Sequence, residues 1–486
     1  DGDTLMVLDI TNAFQHTIRT LDRRNVYITL GPRQLEWFKE RFPPGTVPED
    51  DGTGYVVQLL TEFQGLHEAG KQWYVLLRKI LTKKLGFKQC PEDPGLLRLL
   101  RPGGQRMNVA ISTDDCLVAF NCPEIVQLVD TTLNSFFEVR KKEGPVLSFL
   151  NLRIIQSAHG NSIDQTELIL EYLHHYFSDG ERVNPCADFW DDNLEEDLYN
   201  SAILEGNELR AVEKENRGSI RHHGGKWQHI CEWSRPDLMY FCNRLAAFNL
   251  SPTRAAFGQI KKLYRGIAGC FHRPLFYPCG INLREKSTLK CEVSVGLYKE
   301  FLMSNHLALF ADSGERRSLY DNKAIGCTIT TLAGTATDWK SSTLRNQHTS
   351  STDAELQTYY VAARAVVQMR PIQNFLGSKV EGPVPIYEDS EPTIKVVNST
   401  NPTSRIRHIA TYASYSHEQQ AVGNSTPIYI PTSLQLADIG TKNLGRIQRT
   451  RLFTNMIGFK HYPPKDSDHY KSLQLDDYHK AFRQDE

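Results

Sequence analysis

Asn108-Val-Ala-Ile-Ser-Thr-Asp-Asp-Cys-Leu-Val-Ala-Phe120 is the stretch whose reading decides the rest of the chain. An apolar run enters two adjacent acids, Asp114 and Asp115, and a second apolar run leaves them. β-Branched and aromatic residues on both sides predict two strands, with the acids in the tight turn between them or at its edge. Neighbouring carboxylates repel each other, so a fold gains little by setting them between buried strands unless a cation neutralises them. The pattern is that of a divalent-metal site.

Working outward, Leu96–Ile111 reads as strand, Pro-Gly-Gly turn, strand, giving a meander of about three strands with the acid turn. Upstream, Leu5-Met-Val-Leu-Asp-Ile10 predicts a buried strand carrying Asp9, which taken alone is an ordinary strand-end turn or cap acid. Residues 31–55, rich in Pro and Gly, are expected to be loop-dominated, and Val56–Leu60 predicts a short strand. Residues 71–85 carry a helical apolar stripe from Trp73 to Leu85, closed by Gly86. Lys71, Arg78, Lys79, Lys83 and Lys84 line its other face, either as a solvated surface or as a phosphate-facing one. A helix over 123–137 and a strand over 147–155 follow.

Composition bounds the reading. A chain of 486 residues, 40% hydrophobic and 23% charged, predicts two to four globular domains. A net charge of −1 gives no global basic signal, so any nucleic-acid surface is local. Ten singly scattered cysteines favour reduced thiols in an intracellular compartment over a disulfide framework. No apolar run reaches membrane-spanning length, and no signal peptide is expected. The abrupt start in a buried strand leads us to expect a piece of a polyprotein.

From about 165 to 275 the pattern is mostly helical, with a polar, exposed insert near Glu195–Gly225. The pairs His174-His175 and His222-His223 lack metal-ligand spacing and read as surface or core histidines. Residues 276–302 read as a linker, and a second α+β unit starts near 303. Leu307–Asp312, Ala324–Thr331, Ala336–Lys340 and Pro385–Asp389 predict strands, two of them ending in acids. Thr352-Asp-Ala-Glu355 opens a helix as a capping box, which would make Glu355 a backbone cap. Leu434-Gln-Leu-Ala-Asp438 brings one more acid before Thr441-Lys442.

Carboxylates converging on two divalent metals are what in-line displacement at phosphorus requires. The chain offers such a set twice: Asp9 with Asp114 and Asp115, then Asp312 with Glu355, Asp389 and Asp438. All-oxygen sites of this kind suit Mg²⁺.

The order of the surrounding motifs is more specific than the acids. Leu8-Asp9-Ile-Thr-Asn-Ala-Phe14 resembles the first catalytic motif of copia-type LTR-retrotransposon reverse transcriptases. Gln64-Gly-Leu-His-Glu-Ala-Gly-Lys-Gln-Trp-Tyr74 resembles their Tyr-Gly-Leu-Lys-Gln-x-x-x-x-Trp-Tyr motif, and Ser112-Thr-Asp-Asp115 stands in the place of Tyr-Val-Asp-Asp. Phe149–Ile154, Ser234-Arg-Pro-Asp237 and Ser251-Pro-Thr253 are similar to later landmarks. Phe310-Ala-Asp312, Trp339-Lys-Ser, Ser350–Glu355, Glu388-Asp-Ser390 and Ala437-Asp-x-x-Thr-Lys442 resemble the family's ribonuclease H domain.

The resemblance implies a multidomain α+β chain. A palm-type polymerase fold, an antiparallel sheet with helices and truncated fingers, is expected over 1–160. A helical thumb/connection would occupy 161–275, the linker 276–302, a ribonuclease H-like α/β domain 303–460 and a C-terminal tail 461–486. The resemblance further implies that Asp9, Asp114 and Asp115 hold polymerase metals, and that Asp312, Glu355, Asp389 and Asp438 hold nuclease metals. Mg²⁺, or Mn²⁺ in its place, would bind at two per active site. Phe14, beside Ala13, would be the steric gate against a 2′-OH, and Gln64 and Gly65 would line the nucleotide pocket.

The implied activities are RNA-directed DNA synthesis and cleavage of RNA in an RNA–DNA hybrid. The expected partners are RNA template, DNA primer, hybrid, dNTPs and other polyprotein parts such as integrase and protease, with no membrane. The expected location is a cytoplasmic virus-like particle or the nucleus. Two rival readings stand beside this one: a domesticated copy that binds nucleic acid without chemistry, and a nuclease with a vestigial polymerase half.

The chain departs from the family pattern at several points. Ser112-Thr113 replaces Tyr-Val, His67-Glu68 replaces Lys-Gln, and Ala410 stands where Asp is usual. Fingers strands that normally precede Asp9 are absent from the sequence.

Overall fold

The computed structural model describes residues 3–17, 27–41, 55–177, 183–186, 188–194, 196–294, 297–314, 323–399 and 409–456. The expected tail over 461–486 and the segment Arg405–His408 lie outside these residues. The chain divides into two compact units, residues 3–143 and, with the first two residues, 144–486.

The first unit contains β1 (Thr4–Ile10), β2 (Tyr27–Leu30), α1 (Pro32–Arg41), β3 (Tyr55–Gln58), α2 (Ala69–Lys83), β4 (Lys88–Gln89) and β5 (Leu96–Leu100). It continues through β6 (Arg106–Ser112), β7 (Asp115–Phe120), α3 (Pro123–Asn134) and β8 (Val139–Lys142). Six of its strands form one antiparallel sheet in the order β4-β5-β6-β7-β1-β8. β1 lies between β7 and β8, and Met6, Val7, Leu8 and Ile10 are all buried, which explains the nearly unbroken apolar run. Trp73, Leu77, Ile80 and Leu81 of α2 and Ile125, Val129 and Leu133 of α3 complete that core. As the stripe predicts, α2 ends before Gly86, whose φ of +80° is a left-handed conformation that most side chains resist.

Two expectations need correcting here. Pro32, at the first helical position, starts α1 inside the stretch read as loop; its fixed φ suits that position and its missing N–H has no partner to lose. The strand expected over 147–155 is a hairpin of β9 (Val146–Phe149) and β10 (Leu152–Ser157). Its turn residues Leu150 and Asn151 have φ of 52° and 63°, a two-residue turn whose twist matches the strands.

The second unit goes on with β11 (Gly160–Asp164), α4 (Thr166–Tyr176), α5 (Asp197–Asn200), α6 (Gly206–Glu215), α7 (Ile220–Trp233), α8 (Met239–Ala246) and α9 (Arg254–Ala268). Next come β12 (Leu275–Pro278), β13 (Lys286–Ser294), β14 (Leu297–Ser304), β15 (Ala308–Gly314), β16 (Ile325–Leu332) and β17 (Thr335–Thr343). The last elements are α10 (Ser351–Leu376), β18 (Val384–Glu388), α11 (Glu391–Asn398), α12 (Ala410–Ala421), β19 (Ser425–Tyr429) and α13 (Arg446–Met456).

The insert near Glu195–Gly225 therefore carries helices, and the span read as a linker carries the end of β12, which closes the sheet β12-β11-β10-β9, and the hairpin β13-β14. In the five-stranded sheet β17-β16-β15-β18-β19, the first three strands pair antiparallel, while β15, β18 and β19 run parallel. β15 is buried along its whole length, as a strand covered on both faces must be. Leu309 and Ala311 pack with Leu356, Tyr359 and Ala363 of α10, whereas Ala308 and Phe310 join a core shared with α7, α8, α9 and α13.

The segments Ser234-Arg-Pro-Asp237 and Ser251-Pro-Thr253 play structural parts. Arg235 and Asp237 form a bidentate ion pair, both bonds at 2.8 Å and both residues 1% exposed, and Arg235 also donates to the Cys270 carbonyl. Thr253 caps α9 by accepting from the Ala256 N–H. His223 is buried, bonded at 2.9 Å to both the Tyr264 hydroxyl and the Asn216 carbonyl, as expected of a core histidine.

Candidate metal centres

In the first unit, the register of β1 against β7 sets Asp9 directly opposite Asp115. Ser112 pairs with Asp115 across a two-residue turn of Thr113 and Asp114, and Thr113 adopts φ 57°. The Ile10 N–H donates to the Asp114 carbonyl at 3.1 Å, and the Trp73 indole N–H donates to the Thr113 carbonyl at 2.6 Å. Trp73 thereby supports the acid turn, a role its place in the motif did not disclose. Asp114 is exposed, and Asp9 and Asp115 are half-buried. Partial burial, then the charges of Asp114 and Asp9, raise the Asp115 carboxyl above its ordinary range, with Lys142 opposing.

Ala13 and Phe14 lie in a single 3-10 turn, Ala13–His16, directly after the acid strand. Ala13 is buried and Phe14 packs half-buried against the core. The His16 ring lies edge-on to Phe137 at 4.9 Å. Gln64 and Gly65 are exposed on a turn before α2, with Gly65 at φ +96°.

The second centre is tighter. Asp312 on β15, Asp389 just past β18 and Asp438 in the 3-10 turn Leu436–Gly440 bring carboxylate oxygens within 4.8 Å of one another. Glu355, Glu388 and Asp389 form a second such set, so the two sets share Asp389. Each acid comes from a different local device. Parallel pairing of β15 with β18 aligns the strand ends bearing Asp312 and Glu388. The Gln435 side-chain amide donates to the Ala311 carbonyl at 2.8 Å and to the Tyr387 carbonyl at 3.3 Å, pinning the Asp438 turn to both strands.

The capping expectation for Glu355 is overturned. Ser350 is the N-cap of α10, accepting from the Asp353 N–H, and Asp353 in turn accepts from the Thr349 N–H. That reciprocal pair leaves Glu355 a full turn inside the helix, where it accepts from the Ser313 N–H at 2.9 Å. The sequence motifs include Glu388 and Lys442 without giving either a role in the site, and Gln435 carries no motif signal. Glu388 had a signal of its own, a charged residue in the buried register of a strand.

Lys442 Nζ lies 3.1 Å from Asp312 and 2.6 Å from Asp438, and the Thr441 hydroxyl donates to Asp312. Burial first, then neighbouring acids, hold Asp312, Glu355 and Glu388 well above the carboxylate range; Lys442 opposes the shift in each. Asp438 Oδ2 and Glu388 Oε2 are buried with no hydrogen-bond partner. An all-carboxylate donor set with orphaned buried oxygens is suited to a hard divalent cation.

Residues 6–179 match the family of reverse transcriptases (RNA-dependent DNA polymerases). The chain is 25% identical over 457 residues to the retrovirus-related Pol polyprotein from transposon RE1 of Arabidopsis thaliana, an alignment covering 94% of this chain and 27% of that protein. The resemblance to copia-type Pol thus extends over most of the chain, which spans about a quarter of the length of that relative. Two solved structures are also similar. The foamy viral protease-reverse transcriptase bound to dsDNA is 12% identical, with TM-score 0.21, covering 88% of this chain and 68% of that one. Ribonuclease H1 from Halobacterium salinarum is 12% identical, with TM-score 0.21, covering 27% and 90%. No described helix is long and apolar enough to cross a membrane.

Proposed function

We propose that this chain is the reverse transcriptase–ribonuclease H region of a copia-type Pol polyprotein. In this reading it copies retrotransposon RNA into DNA and cleaves the RNA strand of the resulting hybrid. The observation that carries the proposal is the convergence of Asp312, Glu355, Asp389 and Asp438, four acids spread over more than a hundred residues, into two overlapping carboxylate sets. Residues 1–160 would serve as palm and partial fingers, 161–275 as thumb/connection, and the five-stranded unit as the nuclease.

Asp312, Glu355, Asp389 and Asp438 would hold two Mg²⁺ or Mn²⁺ ions in the nuclease, and Asp9, Asp114 and Asp115 would hold two in the polymerase. Bound there, such ions supply positive charge at the attacking and leaving oxygens of an in-line displacement at phosphorus. Asp9 and Asp115 stand opposite each other on adjacent strands, and Trp73 bonds to the turn between Ser112 and Asp115. Phe14, in the 3-10 turn that follows the strand of Asp9, would be the steric gate under the sugar of the incoming dNTP, and Ala13, Gln64 and Gly65 would line the nucleotide pocket. In the nuclease, Gln435 orients Asp438, and Lys442 shields the charge of Asp312 and Asp438. Recognition would rest on backbone and hybrid shape, with a cytoplasmic particle or the nucleus as the place of action.

A second reading, a nuclease whose polymerase half is vestigial, is favoured by one observation. Among the described residues, Asp9, Asp114 and Asp115 form no set as tight as those around Asp389. Incorporation of a labelled dNTP onto a primed RNA template separates the two readings. Activity lost on Asp115→Asn supports the polymerase; no incorporation by the unaltered chain leaves the nuclease alone.

A further inference from the structure

We infer that Glu388, outside the expected four-acid set, is itself a cation ligand. With Glu355 and Asp389 it would form a position for a hard divalent ion that fills without nucleic acid. The inference rests on the proposed nuclease reading and deepens it.

Glu388 closes β18 and is 0% exposed. Its Oε1 accepts from the Ser390 N–H at 3.1 Å, while Oε2 has no partner. A buried carboxylate with an orphaned oxygen is costly unless a counter-charge reaches it. Among the described residues, no basic side chain makes an ion pair with Glu355, Glu388 or Asp389.

The contrast within the site is informative. Lys442 spans Asp312 and Asp438 at 3.1 and 2.6 Å, so that half already holds a cation belonging to the chain. The other half assembles three carboxylates with no such ion. The remaining contacts of its acids hold them in place rather than neutralise them: Ser313 N–H on Glu355 and the Thr432 hydroxyl on Asp389 at 2.6 Å. Three hard oxygen donors converging within 4.8 Å suit Mg²⁺ or Mn²⁺. The competing account is a neutral Glu388 that keeps its proton in the buried site, beside the buried Tyr359 hydroxyl.

The test uses the whole chain, stripped with chelator and titrated with Mn²⁺ by calorimetry without nucleic acid, beside Glu388→Gln. Gln keeps the shape and the Ser390 contact but removes the charge. The expected result is a tight Mn²⁺ in the unaltered chain, weakened about tenfold or more in Glu388→Gln, with the metal-free Tm equal or higher. Equal Mn²⁺ affinity in the two proteins overturns the inference in favour of a neutral Glu388. So does the absence of Mn²⁺ binding by the unaltered chain, a result that does not depend on the variant folding. Cleavage of a labelled hybrid is scored separately. A chain that binds Mn²⁺ through Glu388 but leaves hybrid intact removes the nuclease reading alone. A chain that cleaves while Glu388→Gln binds normally removes this inference alone.

Discussion

Trp73 and Thr113 lie 40 positions apart in sequence, yet one hydrogen bond joins the α2 indole to the turn bearing Asp114. Trp73→Phe keeps an aromatic ring but removes that donor and leaves a small cavity at a fully buried site. The expected cost is roughly 2–3 kcal/mol, about 1 of it from the bond, read from denaturant midpoints. dNTP incorporation should fall further than the lost stability explains, and an unchanged incorporation rate would show that the turn needs no such support. His223 offers a pH signature at the same scale. Burial lowers its imidazole to about 4 from an ordinary value near 6.5, so the unfolded chain binds the extra proton first. Stability should therefore be lost as pH falls from about 6.5 towards 4, by roughly 3 kcal/mol. The stability gap between the unaltered chain and His223→Gln should narrow over that window; a constant gap would contradict the assignment.

At the scale of the element, α10 separates capping from chemistry. Ser350→Ala should cost about 1 kcal/mol through the lost cap while leaving Mn²⁺ affinity unchanged. Glu355→Gln should do the reverse, weakening Mn²⁺ binding at the set it forms with Glu388 and Asp389, at little cost in stability or even with a gain, because it removes a buried charge. Equal effects of the two variants on Mn²⁺ affinity would return Glu355 to a structural role. This helix also shows how far sequence carries. The cap was legible in kind but misplaced: Ser350-x-x-Asp353 and Thr352-x-x-Glu355 are both box-like sequences, and only β15 decides which acid is left to face the strand. The strands bearing Asp9, Asp312 and Glu388 were legible because apolar runs ending in an acid are uncommon in a buried sheet. The Leu150-Asn151 turn was hidden, since Leu at positive φ has no compositional mark. Gln435 was hidden because its role exists only once β15 and β18 are paired.

For the molecule as a whole, the two acidic centres lie in separate compact units, Asp9, Asp114 and Asp115 in one and Asp312, Glu355, Asp389 and Asp438 in the other. Sites that share no partner residues act independently. Asp115→Asn should therefore leave hybrid cleavage intact, and Asp312→Asn should leave dNTP incorporation intact on a primed template. Family order along the chain, rather than any single motif, was what the sequence offered at this scale. The division at residue 143 and the core shared by the helical segment and the five-stranded sheet became visible only through packing. The most direct measurement is cleavage of an RNA–DNA hybrid, labelled in the RNA strand, by the purified chain with Mg²⁺ or Mn²⁺. The account predicts cleavage that chelator stops and Asp312→Asn abolishes. An intact hybrid, or cleavage that Asp312→Asn leaves unchanged, would contradict it.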